Sequence, residues 1–363
     1  MDGQAKDSRI DAAMALLPLF RANAAKTEAA RQALPEIIAA LRDAGLFRVF
    51  QPPRVGGQPM PRTDWMNIVF ELARACGSSA WVYMVLSSHA GMLMGFSPEV
   101  QDEVWGKDQD ALLSSAVGPV GRARKAEGGY RLSGKFTFSS GCDFASWAVL
   151  GGRDIDDPAG KPLTFLVPLS DMALVDDWFT VGLAGTGSKT LLADEIFVAA
   201  RRVHPAFAIA GTAAPAAFCY TTIGLAQGAL DRFTDHIKAR AQSRETDWPM
   251  IYNVAAEAQG KIDAARLLID RDMREMAPFG PRAPLPPAMR ARNQRDQAVA
   301  TKLATEAVDA LYSAAGASAI HVKSDFRRAY ADTRAAALHA ANSWTNAKHD
   351  GAVRFGQDYT PAW

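Results

Sequence analysis

The sequence predicts an α+β fold in three consecutive parts: an N-terminal α-helical domain over residues 1–111, a middle antiparallel β-domain over 112–205 and a C-terminal four-helix bundle over 206–363. Three observations predict it. Apolar residues recur at three- and four-residue spacing through residues 11–110. The pattern changes to alternation and compact apolar runs between 112 and 203, and long helical periodicity returns from about residue 208.

In the first part, Leu34, Ile37, Ile38 and Leu41, and again Ile68, Leu72 and Ala75, mark amphipathic helices, because side chains three and four residues apart share one helix face. Residues 51–61, rich in Pro and Gly, interrupt the pattern as a connecting loop. The run 78–94 has little polar surface on any side and predicts a buried helix. In the second part, Gly-Gly turns, the alternation that begins at Tyr130 and the apolar runs 147–150 and 164–167 predict strands. In the third, residues 221–244, 251–275 and 296–316 predict long helices, with a Pro-rich break at 277–287. These are long enough for a bundle of four antiparallel helices.

At 363 residues the chain exceeds one small core, and 48% hydrophobic residues give it ample material to bury. A net charge of +1 with 22% charged residues offers no reason to expect nucleic acid or an anionic membrane surface as a partner. Cys76, Cys142 and Cys219 are far apart and form no CxxC or Cys/His cluster, so neither a disulfide framework nor a metal site is indicated. The N-terminal MDGQAKDSRI lacks a signal-peptide core, and no apolar run reaches membrane-spanning length. A reducing cytoplasm is the expected location.

The order of helices, sheet and helices resembles the acyl-CoA dehydrogenase fold over nearly the whole chain. Two segments sharpen the resemblance. Residues 128–141, GGYRLSGKFTFSSG, are similar to the strand and turn that lie against the flavin ring in this superfamily, and residues 182–188, GLAGTGS, followed by Glu195-Ile-Phe-Val, are similar to a second signature of the β-domain. Within the superfamily, the chain resembles the oxygenase components of flavin-dependent monooxygenases of the p-hydroxyphenylacetate and 3-hydroxy-9,10-secosteroid hydroxylase type, and more distantly dibenzothiophene monooxygenase. Ser88-His89 in the buried helix, Ser114-Ser115 before Gly118, Ser139-Ser140-Gly141 and His339 within RAAALHAAN carry that resemblance.

The resemblance implies catalytic roles for His89, Ser115, Ser140 and His339. His89 and Ser115 would lie near a small aromatic substrate, phenolic or indole-like, Ser140 beside the flavin N5, and His339 near the C4a carbon where dioxygen adds to give a hydroperoxide. It places Ser139, Ser140, Gly141, Gly185, Thr186, Gly187 and Ser188 at the flavin, with Arg240 or Arg244 as the cation for its phosphate. A histidine at 339 with a pKa near neutrality would protonate or stabilise the peroxide. The implied cofactor is reduced FMN or FAD with dioxygen as co-substrate. No Gly-x-Gly-x-x-Gly unit in a strand-turn-helix setting is evident, so electrons are expected from a separate NAD(P)H:flavin reductase. The family further implies a homotetramer built as a dimer of dimers.

Residue chemistry leaves alternatives beside these roles. A histidine on an apolar helix is ordinarily a packed residue bonded to backbone, and Ser-Ser-Gly is a common strand end. Gly185 to Ser188 reads either as a phosphate cradle or as a tight turn, with flavin or substrate-loop contact the favoured reading. Trp81, Tyr83, Phe96, Trp147 and Trp248 are assigned no role, since aromatic residues in helical stretches ordinarily fill cores. An acyl-CoA dehydrogenase needs a carboxylate base for the α-proton, and the corresponding stretches around His339 and at 237–241 hold neither Asp or Glu. A dehydrogenase-like flavoenzyme with a displaced base, and a flavin-binding scaffold without turnover, remain the competing functions.

Overall fold

The computed structural model describes residues 7–157, 160–206, 215–242, 245–279 and 285–357. Six helices come first: α1 (Ser8–Ala15), α2 (Leu17–Ala30), α3 (Pro35–Asp43), α4 (Arg62–Ala75), α5 (Gly77–Leu93) and α6 (Pro98–Trp105). α5 is the buried helix that its composition predicts. Eleven consecutive positions of helix would normally present a solvent face, but here every residue from Gly77 to Ser87, then His89, Ala90 and Leu93, is buried. Its start is held so tightly that a Cβ on Gly77 would run into the Leu225 side chain.

The strands β1 (Leu113–Ala126), β2 (Gly129–Phe136), β3 (Trp147–Asp154), β4 (Leu163–Pro168), β5 (Ala173–Val175), β6 (Thr190–Ala199) and β7 (Val203–Pro205) form one sheet in the order β5-β6-β2-β1-β3-β4-β7. The sheet departs from the expected all-antiparallel arrangement at one pairing: β1 and β3 run parallel. The cause is the connection. β1 and β2 form a hairpin closed by Gly128 at φ +72°, and the chain then crosses the start of β1 to enter β3 on its other side. A strand that begins at the same end as β1 must run with it. That crossover, residues 137–146, carries Ser139, Ser140 and Gly141 over the end of the sheet.

Among the described residues of the C-terminal part, α7 (Ala216–Ala241), α8 (Trp248–Met276) and α9 (Pro287–Ala315) are long, α10 (Asp325–Ala337) is shorter, and a final α11 (Lys348–Arg354) has no counterpart in the sequence reading. α8 packs on α9, while α7 lies between α4, α9 and α10. One hydrophobic core therefore runs without interruption from α1–α5 into α7–α10, through Trp65, Phe70, Ile223, Phe233 and Phe326. Smaller clusters sit between α5, α6 and β3, β4, and within the sheet around Phe136 and Phe165. Because α5 touches both the sheet and the bundle, its side chains meet residues from all three parts.

Candidate active site

His89 projects from α5 against β1. Its Nδ1 is 2.7 Å from the Leu113 carbonyl oxygen and its Nε2 is 3.0 Å from Ser115 Oγ. A carbonyl only accepts, so Nδ1 carries the proton. Burial pushes the His89 pKa down to about 4, so the ring is neutral at pH 7 and Nε2 holds a lone pair. Ser115 therefore donates its proton to Nε2, and its oxygen keeps its lone pairs for another donor. The neighbouring Ser114 side chain reaches the Ser140 carbonyl at 3.4 Å, which ties β1 to the crossover.

Ser140 stands half-buried on that crossover. The indole Nε1–H of Trp81 donates to its oxygen at 3.2 Å, and Ser188 Oγ lies 2.6 Å away. Backbone pairing locks the two loops together, with Ser139 N–H bonded to the Lys189 carbonyl and Gly141 N–H to the Thr186 carbonyl, both at 3.1 Å. Lys189 and Asp143 add a 2.6 Å ion pair that is largely shielded from solvent. Gly141 sits at φ +70° with Leu86 3.0 Å from where a Cβ would be, so glycine is the residue that fits. The Ser139 side chain turns back to the Phe136 carbonyl and does not face the opening.

His339 completes the cluster from the bundle. The RAAALHAAN segment reads as continuous helix, yet α10 ends at Ala337 and His339 is the cap of a short 3-10 turn, Ala340–Asn342. Its Nδ1 accepts the Ala341 N–H at 3.2 Å, which leaves Nε2 as the protonated, donating nitrogen of the neutral ring. The imidazole stacks on Phe218 with centroids 3.8 Å apart and lies edge-on to Trp81 at 5.7 Å. Burial pushes its pKa down to about 4, which corrects the expectation of a pKa near neutrality: at pH 7 this group offers a hydrogen bond but is not an imidazolium acid.

The sequence reading assigns Trp81 no role and does not mark Phe218 at all. Their contacts join positions 59 to 258 residues apart, which no local pattern reports. Thr186 and Ser188 are buried behind Ser140, whereas Gly185 and Gly187 do not form an open phosphate cradle. A Cβ on Gly185 would lie 2.7 Å from the Thr27 carbonyl, and one on Gly187 would lie 2.6 Å from Asp143, so both serve close packing of a tight loop. Arg240 is not brought to this cluster within one protomer. It lies 22 residues beyond Phe218, about 33 Å along α7, where it donates to the Ala315 carbonyl at 2.9 Å. Arg244 falls outside the described residues.

Trp81 and His89 are eight residues apart on α5, about 12 Å at the helical rise of 1.5 Å per residue. The Ser140 end thus carries an aromatic wall, an acceptor oxygen and a neutral donor, and the Ser115 end a second polar pair. Residues 18–108 match the acyl-CoA dehydrogenase N-terminal domain and residues 216–344 the acyl-CoA dehydrogenase C-terminal domain. The chain is 35% identical over 356 residues to the flavin-dependent monooxygenase oxygenase subunit HsaA of Rhodococcus jostii, covering 90% of this chain and 93% of that one.

The chain belongs to the oxygenase components of the flavin-dependent monooxygenases. It is also 34% identical to the FADH2-dependent resorcinol hydroxylase oxygenase component of a Rhizobium species, over 90% of this chain and 88% of that one. The 3-HSA hydroxylase of Rhodococcus sp. RHA1 superposes with a TM-score of 0.89 at 32% identity, covering 98% and 97% of the two chains. As an oxygenase component it is a reduced-flavin-dependent hydroxylase that works with a separate reductase on an aromatic substrate. The dehydrogenase alternative is not favoured, and the carboxylate described at the site, Asp143, is paired with Lys189. No helix among the described residues is long and apolar enough to cross a membrane.

Proposed function

We propose that this oxygenase hydroxylates a phenol whose hydroxyl docks on Ser115, with the flavin ring held against Ser140 and His339, which Trp81 backs. The residues fit a flavin: Ser140 keeps one lone pair unused, His339 Nε2–H is an available donor, and Phe138, two residues before Ser140, is an exposed apolar side chain. Bound reduced flavin supplies the activation of dioxygen and the transfer of one oxygen atom. The chain's own residues orient and shield.

The single observation behind the phenol assignment is the direction of the His89–Ser115 bond. Ser115 donates to His89, so its oxygen accepts from a substrate O–H. A phenol that donates to Ser115 shifts electron density into its ring, and the neutral His89 can take up positive character behind Ser115 as the phenolic proton loosens. His339 Nε2–H points a neutral donor at the opposite end, where negative charge on oxygen would be stabilised without an acid able to expel it.

The three-part division at residues 1–111, 112–205 and 206–363 is retained as a proposal; every described strand falls between Leu113 and Pro205, which supports it. Assembly as a homotetramer is proposed on the exposed apolar side chains Val181, Leu338 and Phe355, each about 85% accessible in the single chain. Work in the cytoplasm beside a nicotinamide-dependent flavin reductase is proposed with it, supported by three buried free thiols.

The test supplies reduced flavin and oxygen with matched phenols and their methyl ethers. Phenols are expected to be hydroxylated and ethers to release peroxide only, and Ser115→Ala should abolish that distinction. Equal conversion of both series by the wild-type protein sinks the phenol assignment.

A further inference from the structure

The hydroxyl chain behind Ser140 has a fixed direction. Thr186 Oγ1 lies 2.8 Å from the Leu183 carbonyl oxygen and 2.7 Å from Ser188 Oγ, and Ser188 Oγ lies 2.6 Å from Ser140 Oγ. The carbonyl cannot donate, so the Thr186 proton goes to it; otherwise two oxygen lone pairs would face each other at 2.8 Å. Ser188 must then donate to Thr186, and Ser140 must donate to Ser188. At the other end the Trp81 indole N–H can only donate, and it does so into Ser140. Every proton in the chain is thereby committed away from the flavin side, and Ser140 is left with one lone pair and no hydrogen to give.

The carbonyl that sets this direction is itself held. Leu183 adopts φ +52°, rare for a residue with a Cβ, and its N–H donates to the buried Asp332 carboxylate at 2.6 Å. Asp332 is buried beneath the loop, beside Gly77 of α5. The same Leu183 carbonyl also accepts the Trp178 indole at 3.1 Å.

We infer that Thr186 and Ser188 are positioning residues that make Ser140 an obligate acceptor, so that the site recognises a flavin carrying N5–H and rejects one whose N5 is a bare acceptor. The inference rests on the flavin reading of the site given above. Reduced flavin presents N5–H and satisfies Ser140. Oxidised flavin sets a lone pair against a lone pair, a mismatch that costs as much as leaving a buried acceptor unmade. The redox selectivity of the pocket then resides in two hydroxyls that do not themselves contact the ring.

The experiment measures anaerobic dissociation constants of the full-length protein for oxidised and reduced FMN and FAD. Thr186→Val keeps the shape but removes the acceptor for the Ser188 proton, which frees the Ser140–Ser188 pair to reverse and offer a hydrogen to oxidised N5. The ratio of oxidised to reduced dissociation constants should fall about tenfold, one hydrogen bond's worth, and Thr186→Ser should restore it. Ser188→Ala should lower the ratio similarly. A second reading needs no variant: the 15N5 resonance of oxidised flavin bound to the wild-type protein should be that of a nitrogen without a donor, and should shift to the hydrogen-bonded position in Ser188→Ala. Tight binding of both redox states with a ratio unchanged in both variants, or a hydrogen-bonded N5 in the wild-type oxidised complex, overturns the inference alone. Failure of the wild-type protein to bind flavin in either state overturns the flavin reading as well.

Discussion

The His339 imidazole lies flat on the Phe218 ring, planes 14° apart, and this contact joins the end of α10 to the first turn of α7. The stack covers the imidazole from water, and burial is the cause of its depressed pKa. Phe218→Ala opens that side. The His339 pKa should climb from about 4 toward the ordinary 6.5, followed by imidazole carbon NMR during a pH titration. A titration that stays near 4 in the variant would mean that Phe218 does not provide the shielding.

His89 makes a stability prediction with a definite sign. Its folded pKa, about 4, lies below its ordinary 6.5, so between those values the unfolded chain binds the extra proton. The stabilising contribution is complete above pH 6.5 and is lost as the pH falls toward 4, on the order of 3 kcal/mol over the window. Asp332 and Asp272, both pushed up to about 6 by burial, act with the opposite sign, so the comparison must isolate His89. Urea melts of wild type and His89→Gln should differ by an amount that is constant above pH 6.5 and changes in favour of the variant on acidification. Parallel curves from pH 7 to pH 4.5 would refute it.

How much of this was legible in the sequence follows from the range of each interaction. Periodicity is local, so α5, α7 and α8 were readable within about five residues of their ends and β2 was marked by its alternation, whereas α9 begins at Pro287, nine residues before its apolar pattern becomes regular. The parallel β1–β3 pairing was not, because it depends on which side of β1 the crossover lands. His89, Ser115, Ser140 and His339 were visible through family resemblance, but their protonation states were not. Those depend on the Leu113 carbonyl, the Ala341 N–H and the Leu183 carbonyl, backbone groups that carry no sequence signature. Asp332 was silent for the same reason: within an Arg-rich helix a carboxylate reads as solvated surface, yet it is buried beneath the 182–188 loop.

Two glycines with opposite surroundings should respond oppositely to alanine. Gly185 is pressed against Thr27 and Ser78, so a methyl group there must move α2 or the loop that bears Ser188. Gly185→Ala should destabilise by about 2–3 kcal/mol, typical of overpacking. Gly260, in the middle of α8, has nothing within 4 Å of an added Cβ, and Gly260→Ala should stabilise by about 0.5–1 kcal/mol through helix propensity. Thermal melts of the two variants check both signs together. Equal shifts in the same direction would mean that the packing of the 182–188 loop does not constrain the fold.

Trp81 separates the two ends of the site experimentally. Its indole N–H donates to Ser140, while His89, the partner of Ser115 on β1, lies about two turns further along α5. Trp81→Phe keeps a ring against His339 but withdraws the donor, so Ser140 loses one of the two partners that fix its lone pair toward the flavin. Product formed per reduced flavin consumed should fall several-fold, with hydrogen peroxide rising to match. Phenol affinity, measured by equilibrium binding, should stay within twofold of wild type because one hydrogen bond removed at the far end leaves the Ser115 acceptor untouched. Coupling and phenol affinity lost together would show that the two ends act as one unit. Unchanged coupling would show that the indole contributes bulk alone.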